Sequence, residues 1–133
     1  MVPLYSNAAG ELLAHPAGYA LVRYRAGAAE VAPLAELLTR MARLLVRNRW
    51  HYLLSDARNL PPLPPACKAW MVENWVEGRI ERPAVVHVAV VQPTAVLARL
   101  ATFEIQAQAK GKTHYYHFAD EAAAHTFIMA NQA

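Results

Sequence analysis

The chain has 133 residues, of which 56% are hydrophobic and 17% are charged, and its formal net charge is +3. This length predicts a single domain over residues 1–133, and the apolar content excludes an intrinsically disordered chain. The single cysteine excludes a disulfide framework and a multi-cysteine zinc site. With no apolar stretch of the ~20 residues that a membrane span needs and no signal-peptide pattern, the sequence predicts a soluble, cytoplasmic protein. The basic residues form no dense stripe, so no nucleic-acid partner is expected.

The first 48 residues predict short strands followed by a long helix. Residues 4–14 read as two extended pieces around the turn signal Asn7-Ala8-Ala9-Gly10. Residues 19–25 alternate in polarity, which predicts a half-buried strand whose arginines end in solvent. Residues 28–48 carry apolar side chains at helical spacing and predict a helix, with Pro33 tolerated in its first turn.

The middle of the chain predicts a buried strand, a stiff loop and a second helix. Residues 51–55 form a short apolar run before Asp56, as in a buried strand. Four prolines within residues 59–65 exclude a helix there. The second helix is expected to run from about Pro65 to Gly78, because glycine favours helix termination.

The last third predicts two further strands and two further helices. Residues 84–91 (AVVHVAVV) are apolar on both faces, as in a central strand covered by helices on both sides. Thr94 is the expected N-cap of the next helix, which is expected to end before Gly111. That helix carries Leu97, Leu100, Ala101, Glu104 and Ile105.

The chain closes with a strand over Thr113–Phe118 and a helix that Asp120 is expected to cap. This helix is expected to bury Ala124, Phe127 and Ile128. The alternation of strands and helices predicts an α/β fold, in which a mixed β-sheet is flanked by about four helices. Helical crossovers join its parallel strands, and the initial short strands add antiparallel edges.

The histidines and the cysteine form no recognisable metal or catalytic motif. His114 and His117 lie three apart on a predicted strand, so they point to opposite faces, and the other histidines lack ligand spacing. Cys67 lies in the first turn of a predicted helix, where the helix dipole favours the thiolate; the alternative is a buried structural cysteine. Because nucleotide-binding and serine-hydrolase motifs are also missing from the sequence, it predicts no enzyme, no metal site and no cofactor.

The segment from residue 53 to 93 contains the candidate cleft for a ligand or a partner. Asp56 and Arg58 follow the carboxyl end of a predicted strand, where α/β sheets tend to bind ligands. Trp70 and Trp75 are five residues apart on the next helix, so one is expected to face the core and the other the rim. The alternative is an Asp56–Arg58 pair that only holds the loop, together with two core tryptophans. Asp56 is the better candidate for bracing the turn and Arg58 for contacting a ligand.

Short motifs along the chain resemble a known family. The pattern LLSDARNLPP followed by the two tryptophans, then VAVVQP, then Phe118-Ala119-Asp120-Glu121-Ala122 at a helix start, is similar to the small bacterial STAS/SEC14-type domains. These are related in fold to the SpoIIAA anti-sigma-factor antagonists and to lipid-binding CRAL-TRIO domains. The resemblance implies a SpoIIAA-like mixed sheet flanked by helices, with no established catalytic activity. The antagonists carry a phosphorylatable serine after the aspartate, whereas Ser55 precedes Asp56 here, so a kinase-operated switch of that type is not expected.

Two hypotheses about function follow. The first is a non-enzymatic binding or interaction module, with a regulatory role, that acts through a protein partner or a small apolar ligand at the Asp56–Trp75 edge. The second is a small enzyme that uses Cys67 or a histidine with Asp56. A homodimer is also expected, because short apolar surfaces are many for a chain of this size. These surfaces include Leu60, Leu63, Tyr115, Tyr116 and Met129.

Overall fold

A six-stranded mixed β-sheet forms the centre of the molecule. The computed structural model describes residues 1–109 and 113–132, and these contain the sheet, four α-helices and one π-helix. The strands are β1 (Tyr5–Asn7), β2 (Gly10–His15), β3 (Tyr19–Tyr24), β4 (Tyr52–Asp56), β5 (Val86–Val91) and β6 (Thr113–Phe118). The helices are α1 (Val31–Asn48), α2 (Pro65–Trp70), α3 (Val96–Gln106) and α4 (Glu121–Asn131), and the π-helix Met71–Val76 continues α2. The predicted α/β class and mixed sheet are confirmed.

The strands lie side by side in chain order. β1, β2 and β3 are antiparallel neighbours, and β3, β4, β5 and β6 are parallel neighbours. The expected turn at Asn7 is present, because the Asn7 side chain accepts the N–H of Ala9 at 2.8 Å. Gly10 follows it where β2 approaches β3 so closely that a Cβ atom would collide with the carbonyl oxygen of Arg23. The hairpin therefore supplies the antiparallel edge that the sequence predicts.

The helices are divided unequally between the two faces of the sheet. From β3 to β6, each new parallel strand is added at the same edge of the sheet. Right-handed crossovers in one direction place all their helices on one face of the sheet. Side chains of α1, α2, the π-helix and α3 pack in one core cluster on that face. Side chains of α4 pack in a second cluster on the opposite face. We call these the three-helix face and the α4 face.

Strand β3 is buried on both faces. Ala20 and Val22 belong to the core of the three-helix face, and Tyr19 and Leu21 belong to that of the α4 face. The expectation of a half-buried strand is therefore wrong. The reason is its place in the sheet. Strand β3 lies between β2 and β4, where helices cover both faces of the sheet.

Two of the predicted helix ends differ in outcome. Asp120 caps α4 as expected, since its side chain accepts the N–H of Ala123 at 2.8 Å. Thr94 does not cap α3, whose N-cap is Ala95, because its hydroxyl donates instead to the carbonyl oxygen of Arg58 at 3.1 Å. Helix α3 ends at Gln106, before Gly111 as expected, and Gly111 itself lies outside the described residues.

The second predicted helix changes type along its length. It begins at Pro65 as expected and ends before Gly78, which has a φ of +76°. From Met71 to Val76, however, it has the wider turns of a π-helix, which the sequence did not predict. None of the helices in residues 1–109 and 113–132 has the length and apolar character of a membrane span.

Candidate functional site

The four residues of the predicted cleft lie on opposite faces of the sheet. Asp56 ends β4 and points to the α4 face, because neighbouring side chains on a strand alternate. Trp75 is buried in the core of the three-helix face, and Trp70 packs partly buried against the same core. The structure therefore brings Asp56 together with Arg58 and places Trp70 and Trp75 at the same core, but it does not bring the two pairs together.

Asp56 and Arg58 form a forked ion pair at the end of β4. The guanidinium of Arg58 donates to both carboxylate oxygens of Asp56, from Nε at 2.9 Å and from Nη2 at 2.7 Å. The backbone N–H of Arg58 also donates to this carboxylate, at 3.3 Å. The carboxylate is almost fully buried, whereas the Arg58 side chain is about half exposed. This geometry makes Arg58 a brace for Asp56 and leaves its fork occupied.

The pair belongs to a larger charged cluster, formed by Glu11, Arg23, Asp56, Arg58 and Glu121. Arg23 donates to Glu121 at 2.7 and 3.3 Å and lies 3.8 Å from Asp56. Arg58 lies 3.7 Å from Glu121, and Glu11 lies 3.5 Å from Arg23. Three carboxylates thus surround two guanidinium groups, and a third guanidinium group, that of Arg25, lies 4.0 Å from Glu11. The cluster ties β2, β3 and β4 to the first turn of α4, and its arginines are already neutralised.

The cluster lowers the pKa of Asp56. Burial acts to raise the pKa of this carboxyl, but the hydrogen bonds and charge of Arg58 outweigh it, and the pKa falls below its ordinary value. The carboxylate is therefore charged at neutral pH. A charged carboxylate already bound by arginine has little capacity to act as a general base.

Sequence reasoning missed Arg23 and Glu121 as members of this site. Alternation along β3 places Arg23 on the same face as Tyr19 and Leu21, but only the pairing of Arg23 opposite Asp56 makes them neighbours. The sequence does place Glu121 directly after the expected cap Asp120, and this signal could have pointed to it. The missing information was the order of the strands and the face on which α4 packs.

A small cavity lies on the three-helix face, between the sheet and the helices. Its volume is about 60 Å³. We call it the Trp75 cavity, because Trp75 of the π-helix forms one of its walls. The other walls include Leu53, Val88, Val90, Ile105 and Tyr115. The lining is predominantly apolar.

Trp75 is fixed in this wall by polar contacts at its edges. Its indole N–H donates to the hydroxyl of Tyr115 at 3.0 Å. The guanidinium of Arg82 lies 4.2 Å from the centre of the Trp75 ring and donates to the Trp75 carbonyl oxygen at 2.9 Å. Trp75 is thus the core tryptophan and the partly buried Trp70 the rim tryptophan, as their spacing predicts.

Helix α3 exposes a patch of large apolar side chains, which we call the α3 patch. It consists of Val96, Leu97, Leu100 and Phe103, whose exposed fractions run from 45% to 67%. The buried side of the same helix is formed by Ala98, Ala101 and Ile105. The helix therefore turns two alanines and one isoleucine towards the core and four large apolar side chains towards solvent.

The five residues expected to support self-association differ in exposure: Met129 is exposed, Tyr115 and Tyr116 are partly buried, and Leu60 and Leu63 are buried. Leu60 and Leu63 are buried in the core of the three-helix face, because the proline-rich loop folds back over α1 and the sheet. Met129 is exposed on α4. The α3 patch has four exposed large apolar side chains, whereas Met129 is the one on α4. The sequence analysis named Leu97 and Leu100 only as residues of the helix.

Cys67 and the histidines do not assemble into a catalytic or metal centre in the described residues. Cys67 is buried, and burial, with Glu30 adding to it, raises the pKa of its thiol. This direction is opposite to the one that the helix end was expected to favour. His114 stacks on His87, and His117 bonds to the side chain of Gln106 on the opposite face, as the sequence predicts. No three groups of metal-ligating type come together in residues 1–109 and 113–132.

Comparisons of the chain with family models, curated proteins and solved structures gave no match. The α/β class and the six-stranded mixed sheet therefore stand on the structure itself. The resemblance to STAS/SEC14-type domains gains no support from these comparisons.

Proposed function

We propose that this protein is a non-enzymatic interaction module that binds protein through the α3 patch. The observation that carries this proposal is the exposure of four large apolar side chains on one helix. Val96, Leu100 and Phe103 follow the spacing i, i+4, i+7, which places them in one stripe along α3. Contiguous exposed apolar surface of this kind is typical of interaction sites.

We expect the partner to be a second copy of this chain. A stripe on one helix is complementary to itself when two helices meet across a two-fold axis, and two-fold dimers are the commonest oligomers. One helix face is smaller than the roughly 800 Å² that each partner of a stable interface buries. The dimer is therefore expected to be weak and to form only as the protein concentration rises.

The finer fold assignment, a SpoIIAA-like domain of the STAS/SEC14 type, is part of the same proposal. An antiparallel entry followed by parallel strands with helical crossovers supports it, since the resemblance implies a mixed sheet flanked by helices. The resemblance also carries no catalytic activity, which agrees with an interaction role.

Sedimentation velocity on two matched variants tests the α3 patch. Leu100→Glu places a charge in the patch, and Met129→Glu makes a comparable change at an exposed apolar side chain on α4, where Met129 is 45% exposed and Leu100 53%. We expect the wild type and Met129→Glu to shift towards a dimer from low to high micromolar concentration, and Leu100→Glu to stay monomeric. A wild type that stays monomeric throughout, or equal effects of the two variants, would contradict the proposal.

The enzyme hypothesis is tested at Cys67. Burial raises the pKa of the thiol, so little thiolate is present at neutral pH, and the thiolate is the reactive form. We expect iodoacetamide to alkylate Cys67 in the native protein much more slowly than a free thiol such as N-acetylcysteine. In denaturant the two rates should converge. Native alkylation faster than that of the free thiol would favour the enzyme.

A further inference from the structure

A groove lies between α1 and the edge strand β1, and we call it the arginine groove. Its volume is about 270 Å³. Arg40, Arg43 and Arg47 of α1 form one side of it, and the buried side chains of Leu12 and Leu44 form its base. The groove lies at the β1 edge of the sheet, whereas α3 leads from β5 to β6 at the opposite edge. It is therefore separate from the α3 patch.

The free positive charge of the groove is carried by two of its three arginines. The guanidinium of Arg40 donates to the carboxylate of Glu36 at 2.7 Å and lies 4.1 Å from the centre of the Tyr5 ring, so both contacts hold it in place. Arg43 and Arg47 are exposed. Within residues 1–109 and 113–132, neither of them forms an ion pair with a carboxylate. The part of the chain that the structure describes therefore leaves these two charges without a counter-charge.

The spacing of Arg43 and Arg47 favours the binding of an anion. They are four residues apart, which places them one turn apart on the same side of α1. Like charges at this spacing repel each other and destabilise a helix. An anion between them removes this repulsion and accepts hydrogen bonds from two guanidinium groups, whose geometry matches the oxygens of a carboxylate or a phosphate.

The rest of the lining is apolar apart from one hydroxyl group. Leu4, at the β1 side of the groove, is 58% exposed, and Leu12 and Leu44 lie at the base. The hydroxyl of Tyr5 accepts a hydrogen bond from the side chain of Asn7 at 3.3 Å. A purely ionic ligand would leave Leu4 in water, whereas a hydrocarbon chain joined to the anion covers it. The lining therefore favours a ligand with both a charged and an apolar part.

The volume of the groove limits the size of this ligand. A dry cavity of about 150 Å³ takes one benzene molecule, which is roughly 25 Å³ for each of its carbon atoms. At the same ratio, the 270 Å³ of the arginine groove holds about ten heavy atoms. That is an anionic group with a chain of about seven carbons. A membrane lipid with two long chains is much larger, so the volume favours a small free molecule.

From the two arginines, the apolar lining and the volume, we propose that the arginine groove binds a small amphipathic anion, a carboxylate or phosphate group on a short hydrocarbon chain. Arg43 and Arg47 bind the anionic group, and Leu4, Leu12 and Leu44 contact the chain. Binding involves no chemical step.

Octanoate matches this size and is the probe for the site. The backbone amide signals of the full chain in nitrogen–proton correlation spectra report where it binds. We expect saturable shifts at residues 4–5 and 40–47. Butanoate, with a shorter chain, and octanol, without the charge, are each expected to bind at least about fivefold more weakly. Shifts that never saturate, or equal affinities for the three compounds, would overturn the proposal.

Arg47→Gln and Arg99→Gln form a matched pair of variants. Each removes one positive charge from an exposed arginine on a helix, but Arg99 lies on α3, outside the groove. We expect Arg47→Gln to weaken octanoate binding by about fivefold and Arg99→Gln to leave it unchanged. Equal losses would mean that net charge attracts octanoate, and the groove would not be the site. If Arg47→Gln fails to fold, the three compounds on the wild type still decide the question.

The exposed Leu4 tests the contact with the chain. Leu4→Ser removes apolar surface from the groove, so we expect it to weaken the binding of octanoate more than that of butanoate. An equal effect on the two carboxylates would contradict the placement of the chain.

Vesicles of phosphatidylglycerol test the other source of an anion on a hydrocarbon chain, which is a membrane lipid. We expect the wild type to stay in the supernatant when such vesicles are sedimented, because the chains of a bilayer lipid exceed the volume of the groove. Sedimentation of the wild type with the vesicles, and its loss in Arg47→Gln, would assign the groove to a lipid headgroup and overturn the proposal of a small free ligand.

Discussion

Two carboxylates of this chain bind an arginine at the same distance but differ in burial. Asp56 lies 2.7 Å from Arg58 and Glu36 lies 2.7 Å from Arg40, and their side chains are 6% and 47% exposed. An exposed pair of this kind on a helix contributes about 0.3–0.5 kcal/mol, because water solvates both partners. A hydrogen bond to a buried charged acceptor contributes about 1.5–3 kcal/mol. Without the acceptor, the buried donors have neither a partner nor water to bind.

The matched variants Asp56→Asn and Glu36→Gln separate burial from pairing. In Asp56→Asn the new NH₂ group must face an arginine donor, because both oxygens of Asp56 accept from Arg58. In Glu36→Gln the remaining carbonyl oxygen can keep the single bond from Arg40. We expect Asp56→Asn to lower the free energy of unfolding by about 1.5–3 kcal/mol and Glu36→Gln by at most about 0.5 kcal/mol, both measured by urea denaturation. Equal losses would mean that the charged cluster does not hold the end of β4. The fork of Arg58 already binds Asp56. These variants do not test whether Arg58 also contacts a ligand, so that role stays a prediction.

For single strands and helices, the local sequence pattern was sufficient to predict the bounds wherever one local signal dominates. The aromatic run at Thr113–Phe118 gave β6 with its observed bounds, and Asp120 gave the start of α4. Both depend on local chemistry: β propensity in the first and one side-chain hydrogen bond in the second. Thr94 carried the same cap signal but failed, because the Arg58 carbonyl oxygen, distant in sequence, accepts its hydroxyl.

The π-helix and the α3 patch lay beyond what local pattern can predict. A π-turn needs the same side chains as an α-turn, so composition does not distinguish Met71–Val76 from the helix before it. The apolar residues of α3 are spread around the helix, and only the packed structure shows that Ala98, Ala101 and Ile105 are the ones that face the core. The four residues of the candidate cleft lie apart for a related reason. Whether Asp56 shares a face with Trp75 depends on which face of β4 the Asp56 side chain points to, and on which face of the sheet each helix covers.

Across the whole molecule, the ionisable groups make stability depend on pH in two separate ranges. Burial lowers the pKa of His15, His87 and His117, with His114 and His51 adding to the effect at His87. These histidines bind protons more readily in the unfolded chain. The free energy of unfolding is therefore expected to fall as the pH decreases below about 6.5, the ordinary histidine pKa. Asp56 acts in a lower range, because its pKa is lowered in the folded protein. Its contribution is present above about pH 4 and is lost as the pH falls further.

His87→Gln and Asp56→Asn distinguish the two ranges. Each histidine that is neutral when folded and charged when unfolded adds a slope of up to about 1.4 kcal/mol per pH unit. We expect His87→Gln to reduce the slope of the unfolding free energy between pH 7 and pH 5, relative to the wild type, and to leave the slope below about pH 4 unchanged. Asp56→Asn should do the reverse, because each variant removes a titrating group from one range only. Urea denaturation across the pH series measures both slopes. The assignment fails if His87→Gln leaves the upper slope intact, or if Asp56→Asn alters it, since the histidines would then not carry the upper range.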